Sequence, residues 1–507
     1  MPRNSVSEAE KGTASVQSRT APADEWGPRL AQEARLAELD AALACGVSDG
    51  VVADLAVERA ALLGALGRTD DARQAFIDTL RKAPTHFGAL NEFGTLLAKM
   101  GAMDPACRVY AEAIQHHPTN PIARVNLANL LLRMTRYEEA RRQYEAALRC
   151  DPNNAHAHQG LGAVLSDIGE RDAARRHFDH GFKGRAVTTL PYRGTKAPIP
   201  LLQLVSSGGG NIPVALFLDD TVFQTSVVVA DYLDPSAPLP PHRLVFNTIG
   251  DADLCEPALR AATRLVTRTA MPVLNDPRAV MKTGRVANAR GLKTIAGAVT
   301  PLMRSFRRDI LASKHGGSLI AKAGFSFPLL LRSPGYHTGR NFLLVPTADD
   351  LAAAAAGLPG EELLAIAYLD ARGGDGNARK YRVMIVGGQL HPLHLAISND
   401  WKVHYFTSGM AENAGHRLEE ARFLEDMPSV VGSKAMNALG RIRDRLGLDY
   451  AGIDFGLDGS GNLLLFEANA TMVVSRPEDD ERWSYRRNAV ERVVDAVADM
   501  IRLRSQR

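Results

Sequence analysis

Long apolar runs are missing from this chain. No segment reaches the roughly 18 consecutive apolar residues that cross a bilayer, and LAAAAAGL at 351–358 has the length of a short helix. Charge of one sign is also missing. Lys and Arg total 60 against 57 Asp and Glu, a formal charge of +3, too small a bias to expect nucleic acid or a membrane surface as partner. Cysteine is scarce. Cys45, Cys107, Cys150 and Cys255 show no CxxC spacing, which excludes a disulfide framework and fits reduced thiols in a cytoplasm. The opening MPRNSVSEAEKGTASVQSRTAPADEWG has no apolar core of a signal peptide. What is present is an ordinary mixture, 45% apolar and 23% charged over 507 residues, enough for about three folded domains. The expectation is a soluble, cytoplasmic, multi-domain protein.

Residues 1–28 are polar and aperiodic and are expected to form a disordered tail. A repeat follows. Pro84, Pro118 and Pro152 are 34 residues apart, and Ala72, Ala106, Ala140 and Ala174 keep that interval, as do Phe76, Tyr110, Tyr144 and Phe178. Gly94 and Gly162 alternate with Ala60 and Ala128 in the same register. Small residues let paired helices approach, the aromatics fill the groove between them, and each proline stops a second helix. This pattern resembles tetratricopeptide repeats, whose helix pairs stack into a solenoid. Four units are expected from about 53 to 188, within an all-α domain at 29–188 that begins with a degenerate or capping helical stretch.

The Pro- and Gly-rich segment 189–210 reads as a linker. Beyond it, short apolar runs such as IPVALFL, SVVVADYL and RLVFNTI alternate with helical ones, which predicts a small parallel α/β domain over 211–300. An α+β domain is expected over 301–507, ending in a hairpin and a terminal helix.

That hairpin, YAGIDFGLDGSGNLLLFEANAT at 450–471, places Asp454 and Glu467 inside strand runs. A turn centred between Ser460 and Gly461 sets the two residues opposite each other, about 4.5–5.5 Å apart. Two unit charges at 4 Å repel by roughly 4 kcal/mol at an effective dielectric near 20. Leu463 and Leu465 precede Glu467 at alternate positions, so simple alternation puts all three on one covered face. Asn469 projects beside Glu467 and adds an amide oxygen, completing a hard oxygen set suited to Mg²⁺ or, less selectively, Mn²⁺.

The same stretch resembles the C-terminal metal motif of ATP-grasp ligases, including the glutamate ligases that modify ribosomal protein and D-alanine–D-alanine ligase. The resemblance implies that Asp454, Glu467 and Asn469 hold the magnesium ions on ATP. Upstream, AIAYLDARGGDGNARKYRVMIVGG is similar to the adenine hinge and the strand after it, which implies adenine contacts from Tyr368 and Leu369, a ribose contact from Asp370 and a phosphate-facing Arg382. LLLRSPGYHTGRNFLLV, 329–345, looks like the phosphate-covering loop, with Gly335 and Gly339 letting N–H groups approach oxygens. Arg332 stands where many members of the family carry Lys. The α/β domain then corresponds to the pre-ATP-grasp domain. Its Asn247, Asp251, Asn275 and Arg285 fall at or beyond strand ends, either as ligand contacts or as turn residues. His391, His394, Lys402 and His404 read as a substrate pocket or as surface basic residues, with His391 and His394 on opposite faces of their strand.

The function implied is an ATP-dependent carboxylate–amine or carboxylate–thiol ligase acting through an acyl phosphate. A small-molecule or peptide carboxylate is its substrate, and the repeats recruit a peptide or protein. The alternative is a non-catalytic nucleotide-binding scaffold whose repeats hold a partner.

Overall fold

The computed structural model describes residues 28–45, 49–336, 339–403, 405 and 408–506. The tail expected over 1–28 lies outside them except for Pro28, which opens the first helix.

The 34-residue spacing becomes an antiparallel helical array: α1 (Pro28–Ala44), α2 (Asp49–Ala65), α3 (Thr69–Lys82), α4 (Phe87–Lys99), α5 (Met103–His116), α6 (Pro121–Arg133), α7 (Tyr137–Cys150), α8 (Ala155–Asp167) and α9 (Arg171–Phe182). From α2 on they pack as pairs. Ala72, Ala106, Ala140 and Tyr144 are fully enclosed. A Cβ added at Gly162 would lie 2.6 Å from the Phe178 ring and one at Gly94 2.7 Å from Tyr110, so the recurring small residue is required by the aromatic of its own pair. The aromatic tips stay satisfied: the Tyr144 hydroxyl donates to Asn129 Oδ1, and those of Tyr110 and Thr95 lie 3.0 Å apart. Asn120 and Asn154 cap α6 and α8 by accepting from the N–H groups of Ile122 and Ala157.

Three sheets follow. The first contains β1 (Val187–Thr189), β2 (Ile199–Val205), β3 (Phe223–Val229), β4 (Leu244–Asn247) and β5 (Val273–Leu274), in the order β1-β3-β2-β4-β5. β2 through β5 pair in parallel and β1 is an antiparallel edge. Residues 189–210 are therefore not a linker, because β2 is the central strand of this sheet. Its Leu201, Leu202 and Leu204 are buried. A strand covered on both faces shows no alternation, and the flanking prolines and glycines concealed it. Conversely, IPVALFL is no strand: Ile212 and Phe217 enter the core from a turn.

β6 (Ala298–Val299) leads to a second, antiparallel sheet of β7 (Met303–Arg307), β8 (Leu329–Arg332), β9 (Phe342–Val345) and β10 (Glu362–Ala367), ordered β7-β10-β8-β9. The third contains β11 (Ala378–Val386), β12 (Gln389–Ser398), β13 (Tyr450–Leu457) and β14 (Leu463–Asn469), ordered β12-β11-β13-β14-β6. Helices Ala414–Glu425, Met427–Leu446 and Ser484–Ser505 supply its cover. The first and third sheets share one core, with the Phe217 and Tyr450 rings 5.7 Å apart. The second has a core of its own around Leu311, Leu329, Leu331 and Val345. Among the described residues no helix is long and apolar enough to cross a membrane.

Asn275 staples the first sheet to the third. It is fully buried at φ +55°, its Nδ2 donates to the Tyr450 carbonyl at 2.8 Å, and its Oδ1 accepts the Tyr450 N–H at 2.8 Å. Asn247 Nδ2 in turn donates to the Asn275 carbonyl at 2.8 Å. Both asparagines thus tie the domain junction. Replacing Asn275 with Ala orphans both polar groups of Tyr450, and urea unfolding should register a loss of about 2–4 kcal/mol.

Candidate functional site

In the β13–β14 hairpin, Asp454 and Glu467 face each other directly. The turn is built by Asp458, which accepts from the N–H groups of Ser460 and Asn462 at 2.8 Å each, and it centres on Ser460 rather than between Ser460 and Gly461, because Leu457 pairs with Leu463. Immediately beyond Asp454 the register slips: Phe455 pairs with Leu465, leaving Phe466 as an extra residue. This bulge corrects the expected arrangement of faces. Leu463 and Leu465 lie opposite Leu457 and Phe455 in the core, while Glu467 shares the other face with Asp454. A second bulge, between Arg382 and Val383, sets His394 opposite Arg382 and His391 opposite Met384. The two histidines thus share a face, contrary to the odd-spacing expectation. His404 lies outside the described residues.

Asp454 is 3% exposed. Its carboxylate accepts from Arg382 Nε at 2.6 Å and Nη2 at 2.8 Å, and Lys380 Nζ stands 3.3 Å away. Burial alone would raise its pKa, but Arg382 and Lys380 outweigh this and hold the carboxyl below the usual range. Arg382 was expected to face phosphate; it forms a two-pronged pair with Asp454, its directly opposite neighbour on β13. Beside it His394 is driven well below its ordinary pKa by burial and by Arg382, and is neutral. Its Nδ1 is buried with no hydrogen-bond partner among the described residues.

Glu467 has a different partner. Its Oε1 accepts from Arg285 Nη2 at 3.0 Å and from Asn469 Nδ2 at 2.8 Å. The Asn469 amide oxygen accepts from the Thr471 N–H and hydroxyl at 3.0 and 2.9 Å. Arg285 comes from the α/β region and also meets Asp253, Nη1 to Oδ2, at 3.3 Å. Asp251 caps its loop, accepting from the N–H groups of Asp253 and Leu254 at 2.9 Å. The charges balancing the carboxylates are thus Arg382, Lys380 and Arg285. Asp454 and Glu467 on one sheet face form a hard oxygen donor pair that fits Mg²⁺ or Mn²⁺ in competition with these cations, and the Asn469 amide joins them if its oxygen turns away from Thr471.

Arg332, at the end of β8, is pushed down to about 10 by burial first and then by Arg285, while Glu467, Asp251 and Asp253 act the other way. Its guanidinium donates to the Tyr336 carbonyl and sits 5.8 Å from the centre of the Phe342 ring; among the described residues it has no carboxylate partner. The β8–β9 loop carries Gly335 at φ +84° and Gly339 at φ +71°, a region only glycine adopts freely. It is held from two directions. Lys402, expected to meet a substrate carboxylate, donates to the Gly339 carbonyl. On the other side Tyr336 donates to the Ile168 carbonyl at 3.5 Å and Arg340 to that of Asp167 at 3.3 Å. Arg340 also lies over the Tyr137 ring, 5.1 Å from its centre. The last turn of α8 thereby touches the loop.

Tyr368, Leu369 and Asp370 connect the second sheet to the third. Tyr368 and Leu369 are half-buried, and among the described residues their backbone N–H and C=O groups have no backbone partner. Asp370 is exposed and its carboxylate is paired with Arg372 Nε at 2.8 Å. A narrow cleft is lined by Thr283, Arg285, Asn288, Met303, Phe466 and Glu467. Lys380 and Asp253 went unnoticed in the sequence. Lys380 lies two positions before Arg382 and so on its face, a signal alternation alone carries.

The tetratricopeptide repeat family model matches residues 97–165. No curated protein matches the chain. Solved structures similar to it include a MamA RS-1 ArsTM double mutant, 22% identical, covering 30% of this chain and 85% of that one, TM-score 0.27. MamA 41-end from Desulfovibrio magneticus RS-1 is 22% identical, covering 26% and 73%, TM-score 0.24. A tetratricopeptide repeat protein from Parabacteroides merdae ATCC 43184 is 16% identical, covering 30% and 59%, TM-score 0.27. The N-terminal region is a tetratricopeptide array, followed by a mixed α/β region.

Because the folded-state pKa of Asp454 is depressed, its ionised form contributes stability fully above the ordinary carboxylate value of about 3.9, and that contribution is lost as pH falls below it. Asp454→Asn leaves Arg382 buried against a neutral group. It should cost about 3–5 kcal/mol at pH 7, with a shallower acid limb than the wild type when urea midpoints are compared between acid and neutral pH.

Proposed function

We propose that residues 301–507, with the α/β region before them, form an ATP-grasp-type ligase that activates a carboxylate with ATP, and that the repeats recruit its peptide or protein substrate. The observation that carries this reading is convergence. Arg382 from the third sheet pairs with Asp454 and Arg285 from the α/β region pairs with Glu467, while the Arg332 guanidinium of the second sheet lies within electrostatic reach of Glu467. The order of parts along the chain supports it too: glycine loop, connecting segment, arginine strand, acidic hairpin.

Asp454, Glu467 and Asn469 would hold Mg²⁺ or Mn²⁺, which when bound neutralises nucleotide phosphate charge. The protein's part is positioning and electrostatics. Backbone groups of Tyr368 and Leu369 meet the adenine edge, Asp370 is placed for the ribose, and N–H groups around Gly335 and Gly339 cover the phosphates. A substrate carboxylate oxygen bonds to the γ-phosphorus as its bond to the bridging oxygen breaks, and ADP departs with that electron pair. An amine or thiol then attacks the acyl carbon, releasing phosphate and a proton. Arg332 and Arg382 offset the charge in transfer. Contact between α8 and the β8–β9 loop supports a link between the array and this chemistry, since helical-repeat arrays bind protein segments on extended surfaces.

One observation favours a second reading, a nucleotide-binding scaffold without catalysis: each carboxylate already has an arginine. ADP release from MgATP, stimulated by fractionated peptides and metabolites, separates the two. Under the ligase reading Glu467→Ala should lower stimulated release at least about a hundredfold with an unchanged circular dichroism spectrum. Thermal stabilisation by MgATP with no release in any fraction would favour the scaffold.

A further inference from the structure

Arg285 is joined to both sides of a junction. Its backbone N–H and its Nη1 reach Asp253 Oδ2 at 3.0 and 3.3 Å, and its Nη2 reaches Glu467 Oε1 at 3.0 Å. The main chain at this point is fixed: a Cβ on the preceding Gly284 would lie 2.6 Å from Asp253 Oδ1. Arg285 also lines the cleft that holds Glu467.

The two carboxylates differ in how firmly they are held. The Asp454 side chain is 5% exposed and takes a two-pronged contact from Arg382 with Lys380 behind it. The Glu467 side chain is 31% exposed and takes one contact from one arginine. An incoming cation therefore meets less resistance at Glu467 than at Asp454. If Glu467 is taken by another cation, Arg285 keeps its Nη1 contact to Asp253 while its Nη2 loses the Glu467 acceptor.

We propose that Arg285 is an exchanging counter-ion. It competes with a divalent cation for Glu467, and once displaced its freed Nη2 binds a phosphoryl oxyanion. The planar fork of arginine suits both roles, which a lysine ammonium would not fill equally. The inference rests on the metal reading of the hairpin and adds to it a residue from outside the α+β region. It also orders the events: cation first, then anion, because the Nη2 is free for an anion only after Glu467 has changed partners.

The test uses the full-length chain and Mn²⁺ alone, titrated by electron paramagnetic resonance. Arg285→Gln should bind Mn²⁺ about fivefold more tightly than the wild type, since a competing ion pair worth about 1 kcal/mol is gone, whereas Glu467→Ala should bind it more weakly. With Mg²⁺ saturating, calorimetry with ATP should show Arg285→Gln weaker by about tenfold, and Arg285→Lys between it and the wild type. A melting curve close to wild type establishes that each variant is folded, and Arg285→Lys carries the test if the glutamine variant is not. Equal or weaker Mn²⁺ binding by a folded Arg285 variant, in a protein whose wild type loses Mn²⁺ on Glu467→Ala, overturns the exchange and leaves the metal site standing. Absence of Mn²⁺ binding to wild type and variant alike overturns both.

Discussion

The interaction on which the C-terminal half depends is the burial of one negative charge. A carboxylate in the middle of a sheet is costly unless paired and hydrogen-bonded, and Asp454 is nearly enclosed. The compensation comes from the adjacent strand, where Arg382 lies directly opposite and Lys380 two residues earlier. Such a pair contributes less to stability than to choice of structure. Shifting β13 by one residue against β11 would put Asp454 in the place of Phe455, against the Tyr381 and Phe423 rings of the core, and leave the arginine alone on the other face. The charge thus selects the register of the strands that also carry Glu467 and Asn469.

A second constraint is the division of cores. The first and third sheets are one packed body, stapled by Asn275, so Arg285 and Glu467 meet in a fixed frame. The second sheet packs around its own apolar cluster and joins the rest through short connections, Tyr368 to Asp370 among them. Arg332 belongs to that separate body. Its distance from Glu467 depends on how two cores sit together, whereas that of Arg382 from Asp454 depends only on strand pairing.

These differences explain what could be read from the sequence. The helical array was legible because each 34-residue position answers to a neighbour in its own pair, such as Gly162 to Phe178. The opposition of Asp454 and Glu467 follows from two offsets that cancel: the pairs next to the turn centre it on Ser460, half a residue before the expected point, and the bulge at Phe466 restores the pairing. Bulges could not be read: one extra residue at Phe466 put Leu465 and Glu467 on opposite faces, and another brought His391 and His394 to the same one. β2 was hidden because its burial on two faces erased the period that identifies a strand. The cations were hidden for a different reason. Two facing carboxylates imply compensating positive charge without saying whether it is a metal ion or an arginine from another part of the chain, and Arg285 is 182 residues away from Glu467.

The contact between the array and the glycine loop adds a last step. Asp167 ends α8 and Ile168 caps it, so the carbonyls that receive Arg340 and Tyr336 belong to the helix C-terminus, where acceptors lack intrahelical partners and the helix dipole is negative. A cation and a hydroxyl from the loop meet that need while Arg171 of α9 crosses Gly335 so closely that a Cβ there would stand 2.2 Å from its Nη2. The loop thus takes its position from the last helix pair as well as from β8 and β9. Helix pairs in a solenoid contact chiefly their neighbours, so a change of tilt anywhere along the array reaches its end through successive interfaces. At that end it displaces a loop anchored to Arg332 through the Tyr336 carbonyl. The terminal repeat therefore helps to fix the glycine loop, and the same geometry that closes the array sets where that loop stands relative to β8.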